Sequence, residues 1–170
     1  MRWRYLMDKL LLEKLKTLTI LYAEDEEGIR KNVTKTLQYY LKRVVEASCG
    51  DEALGLYHSE KPDIVFTDIM MPVMDGLVMA KEIKHISKQT PIVILSAFSE
   101  KERLLEAIDV GIDKYLIKPI DPDELLKTLK LVSKEMLDQS DIVDLGFGYQ
   151  FDKSRRVLVK DGKTIFLTKK

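Results

Sequence analysis

The chain sets ionisable and hydroxyl side chains directly after short apolar runs. Glu24 and Asp25 follow LTILYA, Asp68 follows DIVFT, Ser96 closes PIVIL, and Lys118 follows KYLI. If these runs are strands of one parallel sheet, the side chains behind them gather at its carboxyl edge. Three carboxylates crowded there repel one another unless a cation joins them, and oxygen-only ligands favour a hard ion, Mg2+ in a cell. A carboxylate beside Mg2+ can attack a phosphoryl group, because the ion offsets the charge that opposes the attack. Asp68 is the expected acceptor, and Lys118 and the Ser96 hydroxyl are the expected donors to phosphoryl oxygens. The loop behind Asp68, IMMPVMDG, is expected to curl so that a backbone carbonyl reaches the ion, with Pro72, Asp75 and Gly76 turning the chain into a helix. Singly, each residue has a plainer reading: an acid after a strand is often a helix N-cap, Lys118 a surface lysine, Ser96 an ordinary serine. Their joint occurrence behind successive runs carries the argument.

Positioning these groups needs regular elements, and the hydrophobic periodicity supplies them. The pattern predicts helices over 26–41, 50–59, 76–86, 100–110 and 122–137, alternating with the runs LTILYA, RVVEA, DIVFT, PIVILS and KYLIK. The cores ILY, IVF and IVIL are continuous rather than alternating, as befits strands covered on both faces. Right-handed crossovers make a doubly wound, five-stranded parallel sheet the economical α/β topology. Ahead of it, Leu6, Leu10, Leu11, Leu15 and Leu18 draw one apolar stripe on a helix over 4–17. That stripe is covered either by its own domain or by a partner. Behind it, 138–145 reads as a linker, and 146–170 as two or three short antiparallel strands with a hairpin turn at Asp161 and Gly162. The expected partition is therefore an N-terminal helix (1–17), an α/β domain (18–137), a linker and a β-rich segment.

Twenty-eight basic and 28 acidic residues cancel, so bulk charge argues for neither nucleic-acid nor membrane affinity. The lone Cys49 excludes an intramolecular disulfide and a cysteine-based zinc site, and it fits a reducing, cytoplasmic setting. No apolar run reaches the roughly 18 residues of a membrane span. His58 and His85 lack ligand spacing and read as exposed helix residues.

Taken together, ILYAEDE, DIVFTDIMMPVMDG, PIVILSA and YLIKP resemble the receiver domain of two-component response regulators, over about residues 18–137. The resemblance implies a flavodoxin-like fold in which Asp68 accepts a phosphoryl group from a sensor histidine kinase. It further implies Mg2+ held by Glu24, Asp25, Asp68 and the Met70 carbonyl, with Ser96 and Lys118 on the phosphoryl oxygens and at most slow autodephosphorylation. Ser96 and Tyr115 would form the switch that couples the site to an outer face. The tail LGFGYQFDKSRRVLVKDGKTIFLTKK looks like the first strands of the winged-helix effector domain of the OmpR/PhoB subgroup, lacking the recognition helix; DNA would be met only through a complete effector domain. Subgroup members pair through charges on the outer face, which implies a homodimer. Here Asp109 and Lys130 keep one such pair, whereas Lys114 and Thr128 replace a second acid and base, and Leu104 stands where a basic residue is usual. A stand-alone receiver working through protein contacts is the alternative. An aspartyl-phosphate phosphatase of the haloacid-dehalogenase type is disfavoured, because it needs two aspartates one residue apart after the first strand.

Overall fold

A computed structural model describes residues 2–97, 101–139, 142–146, 148–152 and 157–165. The chain runs α1 (Arg2–Leu15), β1 (Thr19–Ala23), α2 (Glu27–Tyr40), β2 (Arg43–Ala47), α3 (Gly50–Glu60), β3 (Ile64–Thr67), α4 (Gly76–Ile86), β4 (Ile92–Ser96), α5 (Lys101–Val110), β5 (Lys114–Ile117) and α6 (Pro122–Gln139). β1 to β5 form one parallel sheet in the order β2-β1-β3-β4-β5. The expected doubly wound sheet is present. β3 and β4 are buried along their whole length and β1 nearly so, whereas the edge strands β2 and β5 are partly exposed. That difference explains why the continuous apolar runs lie in the centre.

Alternation along each strand divides the core. Leu21, Ala23, Val65, Ile92 and Ile94 face one way, against Met79, Ala80 and Ile83 of α4 and Ala53 of α3. Ile20, Tyr22, Ile64, Phe66, Val93 and Leu95 face the other, against Leu37 of α2 and Leu125, Leu129 and Val132 of α6. The leucine stripe of α1 joins this second layer: Leu11, Leu15 and Leu18 are buried, and Lys130 of α6 meets Asp8 of α1 at 3.5 Å. The covering partner is thus α6 of the same chain, although Leu6 of the stripe stays exposed along with Tyr5 and Met7.

The second sheet is antiparallel, ordered β6 (Ile142–Gly146), β7 (Tyr149–Asp152), β8 (Val157–Lys160) and β9 (Lys163–Ile165). Asp161 and Gly162 make the expected two-residue hairpin, both with positive φ (49° and 77°), the requirement of a type I′ turn. The linker assigned to 138–145 is corrected at both ends. α6 continues to Gln139, and Ile142–Gly146 pairs with β7 through Ile142↔Asp152 and Val143↔Phe151. The flanking acids disguised a strand whose stability comes from pairing rather than from its own apolar content. Glu100, where a helix start was expected, and the closing LT of the tail lie outside the described residues.

Candidate functional site

Backbone register builds the site. β1 and β3 are neighbours that end together, with Ala23 opposite Thr67; the Asp68 N–H donates to the Ala23 carbonyl at 2.9 Å, and the Glu24 N–H to Ala47 at 3.0 Å. β1 is also where the winding reverses direction, so the crevice beside it opens at the carboxyl edge. Glu24, Asp25 and Asp68 come together there, with carboxylate oxygens all within 4.8 Å of one another. Lys118, one residue past β5, spans the group: its Nζ lies 2.7 Å from Asp68 Oδ2 and also bonds Glu24 Oε2. The Lys118–Pro119 peptide is cis.

Burial divides the acids. Glu24 is 1% exposed and Asp68 8%, while Asp25 is open to solvent. Burial pushes the Glu24 carboxyl above its ordinary range and outweighs the hydrogen bond from Lys118. Burial pulls the Lys118 ammonium down, yet hydrogen bonds to Asp68 and Glu24 more than offset this and leave it raised. Enclosure decides for the nearly sealed acid, and two carboxylate partners decide for the base. Three carboxylates against one ammonium leave an excess of negative charge on hard oxygen donors, a set that fits a divalent ion such as Mg2+.

The loop after β3 is fixed by close backbone contacts. The Ile69 N–H donates to Asp68 Oδ1 at 2.6 Å, and the Gly76 N–H to the Ile69 carbonyl at 2.8 Å. A Cβ on Gly76 would overlap the Asp68 carbonyl oxygen, so glycine is required at that turn. Asp75 caps α4 by accepting from Leu77 and Val78 N–H at 2.9 Å. The N-cap reading therefore belongs to Asp75 rather than Asp68. Val73 adopts φ 70° although β-branched and 88% exposed, a locally strained conformation. On the other side the loop meets α3, whose Gly50 N–H donates to the Met74 carbonyl at 3.2 Å; the preceding Cys49 is half-buried, its thiol pushed up by a hydrogen bond with Asp51.

Ser96 is fully buried at the end of β4, and the Lys118 N–H donates to its carbonyl at 2.9 Å. Tyr115, opposite Ile94 in the sheet, is half-buried against the α3/α4 layer. Met70 stands half-exposed in the loop, its thioether 3.9 Å from Arg103. On the outer face Leu104 is half-buried and Asp109 exposed. Lys114 pairs with Glu135 at 3.0 Å, so within one chain both outer-face lysines already have acidic partners, Lys130 through Asp8.

Sequence reasoning missed two residues. Arg30 Nη1 donates to the Glu24 carbonyl at 2.7 Å and pins the acidic turn to α2. Tyr22, wholly buried, directs its hydroxyl at Glu24 Oε2, 3.5 Å away. The signal for Tyr22 was its place two residues before Glu24, which puts both side chains on one face of a strand.

Comparison with known proteins places the five-stranded domain in a family. Residues 20–130 match the family model described as the response regulator receiver domain. A probable transcriptional regulator, ycf27 of Guillardia theta, is 36% identical over 157 residues, covering 88% of this chain and 61% of the relative. The chain thus spans about three fifths of that relative's length. The chemotaxis protein CheY4 of Vibrio cholerae superposes with TM-score 0.64 at 35% identity over 68% of this chain and 98% of its own. The response regulator DrrB of Thermotoga maritima, an OmpR/PhoB homolog, does so with TM-score 0.64 at 26% identity, over 89% of this chain and 67% of its own.

Proposed function

The chain belongs to the response regulator receiver family, and from that premise we propose that Asp68 is its phosphoacceptor, charged by a sensor histidine kinase. The observation that carries the reading is the contact of the nearly buried Asp68 carboxylate with Lys118 inside a cluster of three acids. The family is one of signalling phosphoacceptors rather than turnover enzymes.

In the proposed transfer an Asp68 oxygen attacks the phosphorus of a phosphohistidine. A P–O bond forms, the P–N bond breaks, and the electron pair returns to the imidazole. Mg2+, held by Glu24, Asp25, Asp68 and the Met70 carbonyl, would neutralise charge on the transferring group. Lys118 moves from carboxylate partners to phosphoryl oxygens of the same sign, so its raised affinity for a proton keeps it cationic throughout. Ser96 supplies a hydroxyl to the same oxygens, and Tyr115 follows it as the switch toward the outer face that carries Leu104, Asp109, Lys114 and Lys130. Because Lys130 and Lys114 are paired internally, any homodimer through that face must re-form or bypass those pairs. At most slow autodephosphorylation would reset the site, water taking the phosphoryl group as inorganic phosphate and restoring the Asp68 carboxylate.

We further propose that the protein controls transcription in the cytoplasm. The support is a relative named as a transcriptional regulator, and an alignment with an OmpR/PhoB homolog that extends past the five-stranded domain. DNA would be engaged through effector elements beyond the four strands β6–β9.

Incubation with Mg2+ and acetyl phosphate, followed by intact-mass measurement, tests the assignment. The parent chain is expected to gain one phosphoryl group and Asp68→Asn none. Equal labelling of both would remove Asp68 from the role.

A further inference from the structure

The interior of β1 is otherwise aliphatic, Ile20, Leu21 and Ala23, and all of it is buried. A hydroxyl buried among such residues is costly unless it is hydrogen-bonded. Tyr22 is the exception in this strand, and its phenol faces Glu24 Oε2. The 3.5 Å separation is that of a long hydrogen bond, on an oxygen that also receives Lys118. The phenol O–H donates and the carboxylate oxygen accepts. The other Glu24 oxygen, Oε1, accepts the Glu26 N–H at 3.2 Å.

We propose that Tyr22 is a positioning residue that holds the Glu24 carboxylate in place for the divalent ion. The inference rests on the functional reading above, in which Lys118 leaves Glu24 for the phosphoryl oxygens. Tyr22 is then the donor that stays on Oε2, because its side chain is wholly buried in the layer that also holds Phe66, Leu37 and Leu125. Supporting hydrogen bonds of this kind fix a ligand's rotamer and basicity, and their removal lowers metal affinity. The alternative is that Tyr22 fills space and its hydroxyl is incidental.

Tyr22→Phe separates the two, since it keeps the ring and removes only the oxygen. Isothermal titration with Mg2+ is expected to show affinity weakened by about ten-fold. In acetyl phosphate labelling, the half-saturating Mg2+ concentration should rise in step, and excess Mg2+ should overcome the defect. In a Glu24→Gln background the same substitution should add no further loss, because the effect passes through that carboxylate. An unchanged Mg2+ affinity in Tyr22→Phe, or full additivity with Glu24→Gln, overturns the proposal while leaving Asp68 as acceptor. A parent chain that neither binds Mg2+ nor takes a phosphoryl group overturns both readings.

Discussion

Glu24 is the acid whose charge costs most. Its carboxyl lies above the ordinary glutamate value of 4.5 because burial disfavours the ionised form. A raised value means that the folded state holds the proton more tightly than the unfolded one. The stability this lends is fully present below 4.5 and is lost as pH rises through the raised value. In urea unfolding of the metal-free protein, the stability of the parent minus that of Glu24→Gln should therefore fall as pH climbs from the acid side toward neutrality. A difference that stays flat or grows would contradict the burial argument. Glu24, Asp25, Asp68 and Lys118 were legible from sequence because each directly follows an apolar run, and a parallel sheet aligns run ends. Tyr22 was not, because apolar patterning counts a tyrosine as core and says nothing of where its hydroxyl points. Arg30 escaped for a related reason: its partner is a backbone carbonyl, which has no sequence signature.

Among the elements, α1 shows what periodicity can and cannot decide. Its leucine spacing specified a buried stripe, but the identity of the covering surface depends on tertiary packing, and that surface is α6. Leu15 is fully buried against the second layer, so Leu15→Ala should cost about 2–5 kcal/mol in chemical denaturation, the range for cavity-forming truncations. A cost below about 0.5 kcal/mol would mean that α1 is loosely attached. The five parallel strands were readable because both of their faces are apolar. β6 was not, because the acids around IVDL break the run and its partner β7 supplies the order. The Asp161–Gly162 turn, by contrast, is encoded locally by residues that tolerate positive φ.

On the scale of the whole molecule, the two apolar layers, among the described residues, draw on residues up to Met136. Ending the chain after Gln139 should thus leave stability within about 1 kcal/mol of the parent and keep acetyl phosphate labelling of Asp68. Loss of either would show that β6–β9 contribute to the five-stranded domain. The balanced charge also means that attraction to nucleic acid must come from local surface rather than from the chain as a whole. One detail of this architecture has a practical use. The sole sulfhydryl of the chain, Cys49, adjoins the point where α3 grips the segment behind Asp68. Because its thiol is held above the ordinary value, less thiolate is present at neutrality and alkylation is slowed, and mild base restores it. A maleimide dye or spin label attached there would report rearrangement of that segment during signalling, in the native chain and with no competing thiol to remove.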